Sequence, residues 1–363
     1  MKKIKTFIPL IVLSLFLSMQ SGDINAQSPS VKPDASIRIE LVRKQNAQTA
    51  EIFFTNGQKM ILDFYGENIF RMYQNNNLNV LADPQADPPA RILVGNSRKS
   101  IGKLEITTDN ASVSILTNRI KLVFDKETTC FTISDLLSGK TVVQSTSPVS
   151  FEKNEVKLTL KEHPDEYFFG GGVQNGRFSH KGKTIAIENQ NSCTDGVVAS
   201  PTPFYWSTNG YGMMWYTFRP GVYDFGRKEK NTVQLTHKTD YLDVFFMVNK
   251  ETTGLLNDFY QLTGNPVLIP KFGFYEGHLN AYNRDYWKED AGGILFEDGK
   301  RYRESQKDNG GVKESLNGEL NNYQFSARAV IYRYKQHDMP LGWILPNDGY
   351  GAGYGQTETL EGN

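Results

Sequence analysis

Along residues 36–250, apolar and polar positions alternate in short runs. Ile37, Ile39 and Leu41 alternate with Arg38 and Glu40, and the two-residue period returns at 50–54, 103–108, 112–116, 120–124 and 156–160. That period sends successive side chains to opposite faces of an extended chain, so each run predicts a strand. Repeated short strands divided by turn residues predict a mostly antiparallel β-sandwich. Pro84, Pro88 and Pro89 interrupt the pattern and mark a loop.

The period changes near Glu251. Leu255, Leu256, Phe259 and Tyr260 share one helical face, and Gly264 and Pro266 are stop signals. Residues 272–275, Phe-Gly-Phe-Tyr, predict a buried strand. From 288 to 322 the pattern lapses in a polar stretch too long for an ordinary loop, which predicts an insertion. Ala327, Val330, Ile331 and Tyr334 restore helical spacing before Pro340, and residues 341–345, Leu-Gly-Trp-Ile-Leu, predict a further strand. Strand, helix and strand in that order imply a βαβ unit and a parallel sheet. Two parallel strands cannot cover their own faces, so this second domain reads as unfinished.

The first residues change the cellular picture. Lys2, Lys3 and Lys5 precede an apolar run over 7–19, and the small residue Ala26 follows, which predicts a secretory signal peptide over residues 1–26. The run is short for a membrane span. An exported protein, periplasmic or extracellular, with no stable membrane insertion after cleavage is therefore expected. Cys130 and Cys193 are the only cysteines, and they read either as one disulfide or as two buried thiols. Lys and Arg together number 40, as do Asp and Glu, which disfavours nucleic acid and anionic membranes as partners. Five scattered histidines give no metal-ligand spacing, and no cofactor is expected.

Two stretches carry candidate chemistry. Phe168-Phe169-Gly170-Gly171-Gly172 is followed by Gly182-Lys183-Thr184, but a phosphate-binding loop needs glycine where Arg177 stands, so a nucleotide site is excluded. A tight structural turn remains, or a wall where glycine lets the backbone approach a ligand. Residues 203–212, Pro-Phe-Tyr-Trp-Ser-Thr-Asn-Gly-Tyr-Gly, gather aromatics around an Asn-Gly hairpin signal, and read either as core and turn or as a site.

Taken in order, Phe169-Gly-Gly-Gly, the 203–212 run, Leu262-Thr-Gly-Asn-Pro266 and Pro270-Lys-Phe-Gly-Phe274 resemble glycoside hydrolase family 31. The resemblance runs from about residue 36 to the last. It implies a β-sandwich over 27–250, then the first βα units of a truncated (β/α)8 barrel over 251–363, with the insertion at 288–322. It also implies retaining hydrolysis of an α-glycosidic bond by two Asp side chains, one attacking the anomeric carbon and one protonating the leaving oxygen from about 5 Å away. No position here matches that pair, and it is expected beyond Asn363.

Barrel sites form where strand ends meet the following loops. His278, Asn280 and Tyr282 follow the predicted first strand, and Asn347 and Asp348 follow the second, with Asp348 matching a family Asp that grips sugar hydroxyls. Together with Trp206 they are the expected substrate-binding residues, for an oligosaccharide or polysaccharide. The resemblance implies an α-glucan substrate, with α-galactosides and α-xylosides open. Two other readings are a non-catalytic sugar-binding sandwich and a self-sufficient enzyme using Glu276 and Asp348.

Overall fold

The two-residue period becomes three antiparallel sheets. The computed structural model describes residues 37–75, 92–152, 154–174, 178–189, 198–275, 287–295, 299–304 and 327–343. They fall into two compact units, divided after Gly264. In the first, one sheet runs in the order β1 (Ile39–Lys44), β2 (Thr49–Phe54), β3 (Lys59–Gly66), β4 (Ile69–Asn75), β18 (Tyr241–Val248), β15 (Tyr211–Trp215), β14 (Val198–Ser207) and β12 (Phe168–Gln174). A second runs β5 (Glu105–Thr108), β6 (Ser112–Leu116), β7 (Ile120–Asp125), β8 (Phe131–Asp135) and β9 (Thr141–Gln144). A third runs β10 (Ser150–Glu152), β11 (Glu155–Lys161), β17 (Thr232–His237), β16 (Gly221–Phe225) and β13 (Lys183–Ile187). All pairings in these sheets are antiparallel.

The eight-stranded sheet is covered on both faces. Leu242, Val244, Phe246 and Val248 of β18 enter a core shared with Ile115 and Leu122 of the second sheet and Leu158 and Leu235 of the third. Phe245 and Met247, one position out of phase, enter a separate cluster with Leu255 and Leu262 of α1 (Thr252–Thr263). That double cover explains why β18 is apolar almost throughout while β6 and β7 alternate. Burying Leu255 and Leu262 contributes about 1.5–3 kcal/mol each. Gln261 fixes the register of the helix by donating from Nε2 to the carbonyls of Tyr65 (2.7 Å) and Ser97 (2.9 Å). The helix expected at the head of the second domain thus packs on the first.

The second unit departs from its expected pattern. In place of a buried strand at 272–275, Lys271–Phe274 form a single 3-10 turn, with Gly273 N–H donating to the Pro270 carbonyl (2.8 Å). Phe272 is 54% and Phe274 73% exposed. A short apolar run between Pro270 and a glycine does not distinguish strand from turn. The expected insertion contains an antiparallel ribbon of β19 (Trp287–Leu295) and β20 (Arg301–Glu304), with a register shift between Glu289 and Ile294. Helix α2 (Ala327–Gln336) forms where the spacing predicts it, and Asp338, at φ 51°, turns the chain out before Pro340. At 341–345, Leu341 to Trp343 are described, and of these Leu341 makes an isolated β-bridge.

Candidate functional site

The glycines at 170–172 serve strand packing. β12 lies at the edge of the large sheet, paired with β14, and its register shifts between Gly170 and Gly172. Their φ angles of 106° and 95° lie where only glycine is at ease. A Cβ on Gly172 would stand 2.0 Å from the Ser200 carbonyl oxygen, and one on Gly170 2.7 Å from that of Phe204. The bulge twists an edge that would otherwise offer unpaired backbone to another chain.

Alternation along β14 then sorts its aromatics. Tyr205 is fully buried in the main core, while Phe204 and Trp206 emerge on the α1 face. Phe204 stacks on Phe259 of α1 at 4.2 Å. Trp206, half-buried, stacks on Phe169 of β12 at 4.4 Å and 21°. Phe178 meets Phe169 edge-on at 5.5 Å and is itself 88% exposed. The result is a row of three rings running from the sheet into solvent, suited to the apolar CH face of a ring whose hydroxyls point outward. Trp206 is the expected site residue that the structure places. His278, Asn280, Tyr282, Asn347 and Asp348, as well as Glu276 and Cys193, lie outside the described residues. Cys130 is a half-buried free thiol.

Carboxylates near the row are engaged within the fold. Glu166, buried below β14, accepts from Ser207 Oγ and from the His163 N–H (2.9 Å), and burial pushes its carboxyl up. Asp224 accepts from Thr184 Oγ1 and from the N–H groups of Arg227 and Lys228. Such partners suit groups that hold strands and turns together. Neither carboxylate has the open, paired placement that glycoside cleavage requires.

A second feature was missed in the sequence. At the other end of the same sheet face, a cleft of about 550 Å³ is lined by the 45–49 turn, Ile61 and Asp63 of β3, Arg71 and Tyr73 of β4, and Arg98. Asp63 receives hydrogen bonds from Thr49 Oγ1 (2.9 Å) and Arg98 Nη1 (2.6 Å). Arg71 makes a buried two-pronged pair with Asp243, at 2.7 and 2.6 Å. Polar residues at alternating positions of β3 and β4 were the available signal.

The model of the glycosyl hydrolase 31 N-terminal galactose mutarotase-like domain matches residues 59–224, from β3 through β16. These residues form a glycoside hydrolase family 31 N-terminal domain. An α-xylosidase of Emericella nidulans is 26% identical over 133 residues, 36% of this chain and 17% of the relative. An α-xylosidase of Lactiplantibacillus pentosus is 23% identical over 216 residues, 59% of this chain and 27% of the relative. The chain spans about a quarter or less of the length of these curated relatives. Among solved structures, a Flavobacterium johnsoniae family 31 dextranase superposes with a TM-score of 0.68 at 13% identity, covering 88% of this chain and 35% of the dextranase. The cycloalternan-forming enzyme of Listeria monocytogenes gives 0.59 at 15%, covering 86% and 26%. At these identities the structures establish the shared fold. Among the described residues no helix is long and apolar enough to cross a membrane.

Proposed function

We propose that this chain is the substrate-side portion of a retaining α-glycoside hydrolase acting on α-glucan oligosaccharides. The observation that carries this reading is the family 31 domain match over residues 59–224. In this account the β-unit presents the row Phe178, Phe169 and Trp206 to the sugar. The chain beyond Gly264 begins a (β/α)8 barrel in this reading, and its loops supply His278, Asn280, Tyr282 and either Asn347 or Asp348 as hydroxyl-binding groups. Hydrolysis itself needs a nucleophilic carboxylate and an acid/base carboxylate about 5 Å apart. Glu166 and Asp224 are committed to structural partners, so we expect this chain alone to bind saccharide without cleaving it. Residues 1–26 direct export in the same proposal.

An α-xyloside substrate is the second reading, favoured by the two curated relatives, both α-xylosidases. The test is to incubate the purified chain with p-nitrophenyl α-glucoside and p-nitrophenyl α-xyloside. No release of p-nitrophenol is expected from the chain alone. Release that persists through successive purification steps, at a constant ratio to the chain, would overturn the assignment of catalysis to other residues. Preference for one glycoside would then decide between the two substrates. Export is tested by fractionating cells and sequencing the mature N-terminus, expected at Gln27.

A further inference from the structure

We infer that the cleft between the 45–49 turn and the β3–β4 face is a second binding site, for a neutral saccharide. Its size, about 550 Å³, falls within the roughly 300–1,000 Å³ of small-molecule sites. The charges around it cancel in pairs. Arg98 is held by Asp63, and Arg71 by Asp243, both through two prongs. With each guanidinium matched to a carboxylate, the site offers an anion no uncompensated positive charge. It offers planar donors and acceptors instead. Guanidinium and carboxylate edges, with Asn46 and Gln48 on the rim, suit the adjacent hydroxyls of a sugar ring, which donate and accept at once.

Ile61, Ala47 and the Tyr73 ring add apolar surface for its CH groups. The polar frame is already organised before any ligand arrives: Thr49 Oγ1 holds Asp63, and Gln48 Nε2 donates to the carbonyls of Phe64 (2.9 Å) and Lys99 (2.8 Å). Binding therefore orders few side chains. β18 and β15 separate β4 from β14, so the cleft lies on the order of 15 Å from Trp206, counting strand spacings. It is thus distinct from the aromatic row and does not rest on the catalytic reading.

The test is methyl NMR of the full chain labelled at isoleucine, titrated with isomaltotriose and separately with inorganic sulfate. A saturable shift of the Ile61 methyl with isomaltotriose, and none with sulfate, is expected. The double variant Asp63→Asn/Arg98→Met keeps the charge balance and should weaken that response at least tenfold. Its other isoleucine signals report whether it is folded, and Asn46→Ala, on the exposed turn, serves as a second variant with a smaller expected loss. No response at Ile61 with isomaltotriose, or an equal response in both variants, would overturn the inference. A stronger response to sulfate would overturn its neutral-ligand form. None of these outcomes touches the family 31 reading, which is judged by glycoside cleavage and by the aromatic row.

Discussion

Phe169 and Trp206 are directly paired across β12 and β14, and their rings stack at 4.4 Å. The pairing depends on the glycines that follow Phe169. They let β12 approach β14 closely enough for the rings to share one face, and Phe178 then extends that face outward.

Removing the outermost ring separates recognition from folding. Phe178 is so exposed that Phe178→Ser should change stability by less than about 0.5 kcal/mol. The lost aromatic contact is worth about 0.5–1.5 kcal/mol, a roughly two- to twelvefold weakening of saccharide binding. A saccharide titration run beside a urea melt checks both halves of that expectation.

Gly172→Ala should be costly, by about 2–4 kcal/mol, because the new Cβ meets the Ser200 carbonyl and the positive φ is strained. Gly57→Ala is the control. Gly57 also has a positive φ, 83°, but open space around it, so its cost should stay near 1 kcal/mol. Urea midpoints of the two variants give the comparison, and equal losses would show that φ alone accounts for both.

His237 makes the β-unit acid-sensitive. Its Nδ1–H donates to the Arg219 carbonyl (2.8 Å), its Nε2 accepts from the Tyr223 hydroxyl (3.0 Å), and its ring packs on Trp215. Burial lowers its pKa from 6.5 to about 4. The unfolded chain therefore binds the proton more readily, and stability present above pH 6.5 is lost as the pH falls toward 4. The full effect is about 3 kcal/mol. His237→Gln should flatten that part of the stability profile, measured by urea melts between pH 4 and 7.5.

Asp258 acts in the opposite sense. It sits on α1 and accepts from Asn68 Nδ2 (2.8 Å) and Asn249 Nδ2 (3.4 Å), while burial raises its carboxyl from 3.8 to about 6. Here the folded chain holds the proton more tightly, so its contribution is fully present below pH 3.8 and is lost as the pH rises through 6. Asp258→Asn keeps an acceptor without the charge. It should stabilise the protein by about 1–3 kcal/mol at pH 7.5 and by little at pH 4, as thermal melts at the two pH values would show.

Much of the β-unit was legible because a two-residue period survives wherever one strand face meets the core, as in Val113 and Ile115 or Leu122 and Phe124. The Asn209-Gly210 signal likewise marks the β14–β15 hairpin, with Gly210 at φ 98°. What escaped depends on distant partners. Asp63 and Arg98 are 35 residues apart, and Arg71 and Asp243 are 172 apart, so only the sheet order brings the cleft together. Residues 272–275 misled for the opposite reason. Four apolar-looking residues carry too little pattern to tell a 3-10 turn from a strand, and the neighbours that would have decided the matter are not local.

The most direct test is saturation-transfer NMR of the purified chain with α-linked isomaltotriose and β-linked cellotriose, repeated on Phe178→Ser. Transfer to isomaltotriose, weaker with cellotriose and diminished in the variant, is the predicted result. Equal transfer to both sugars, or transfer to isomaltotriose that the variant leaves unchanged, would contradict the assignment of the β-unit to α-glycoside recognition through its aromatic row.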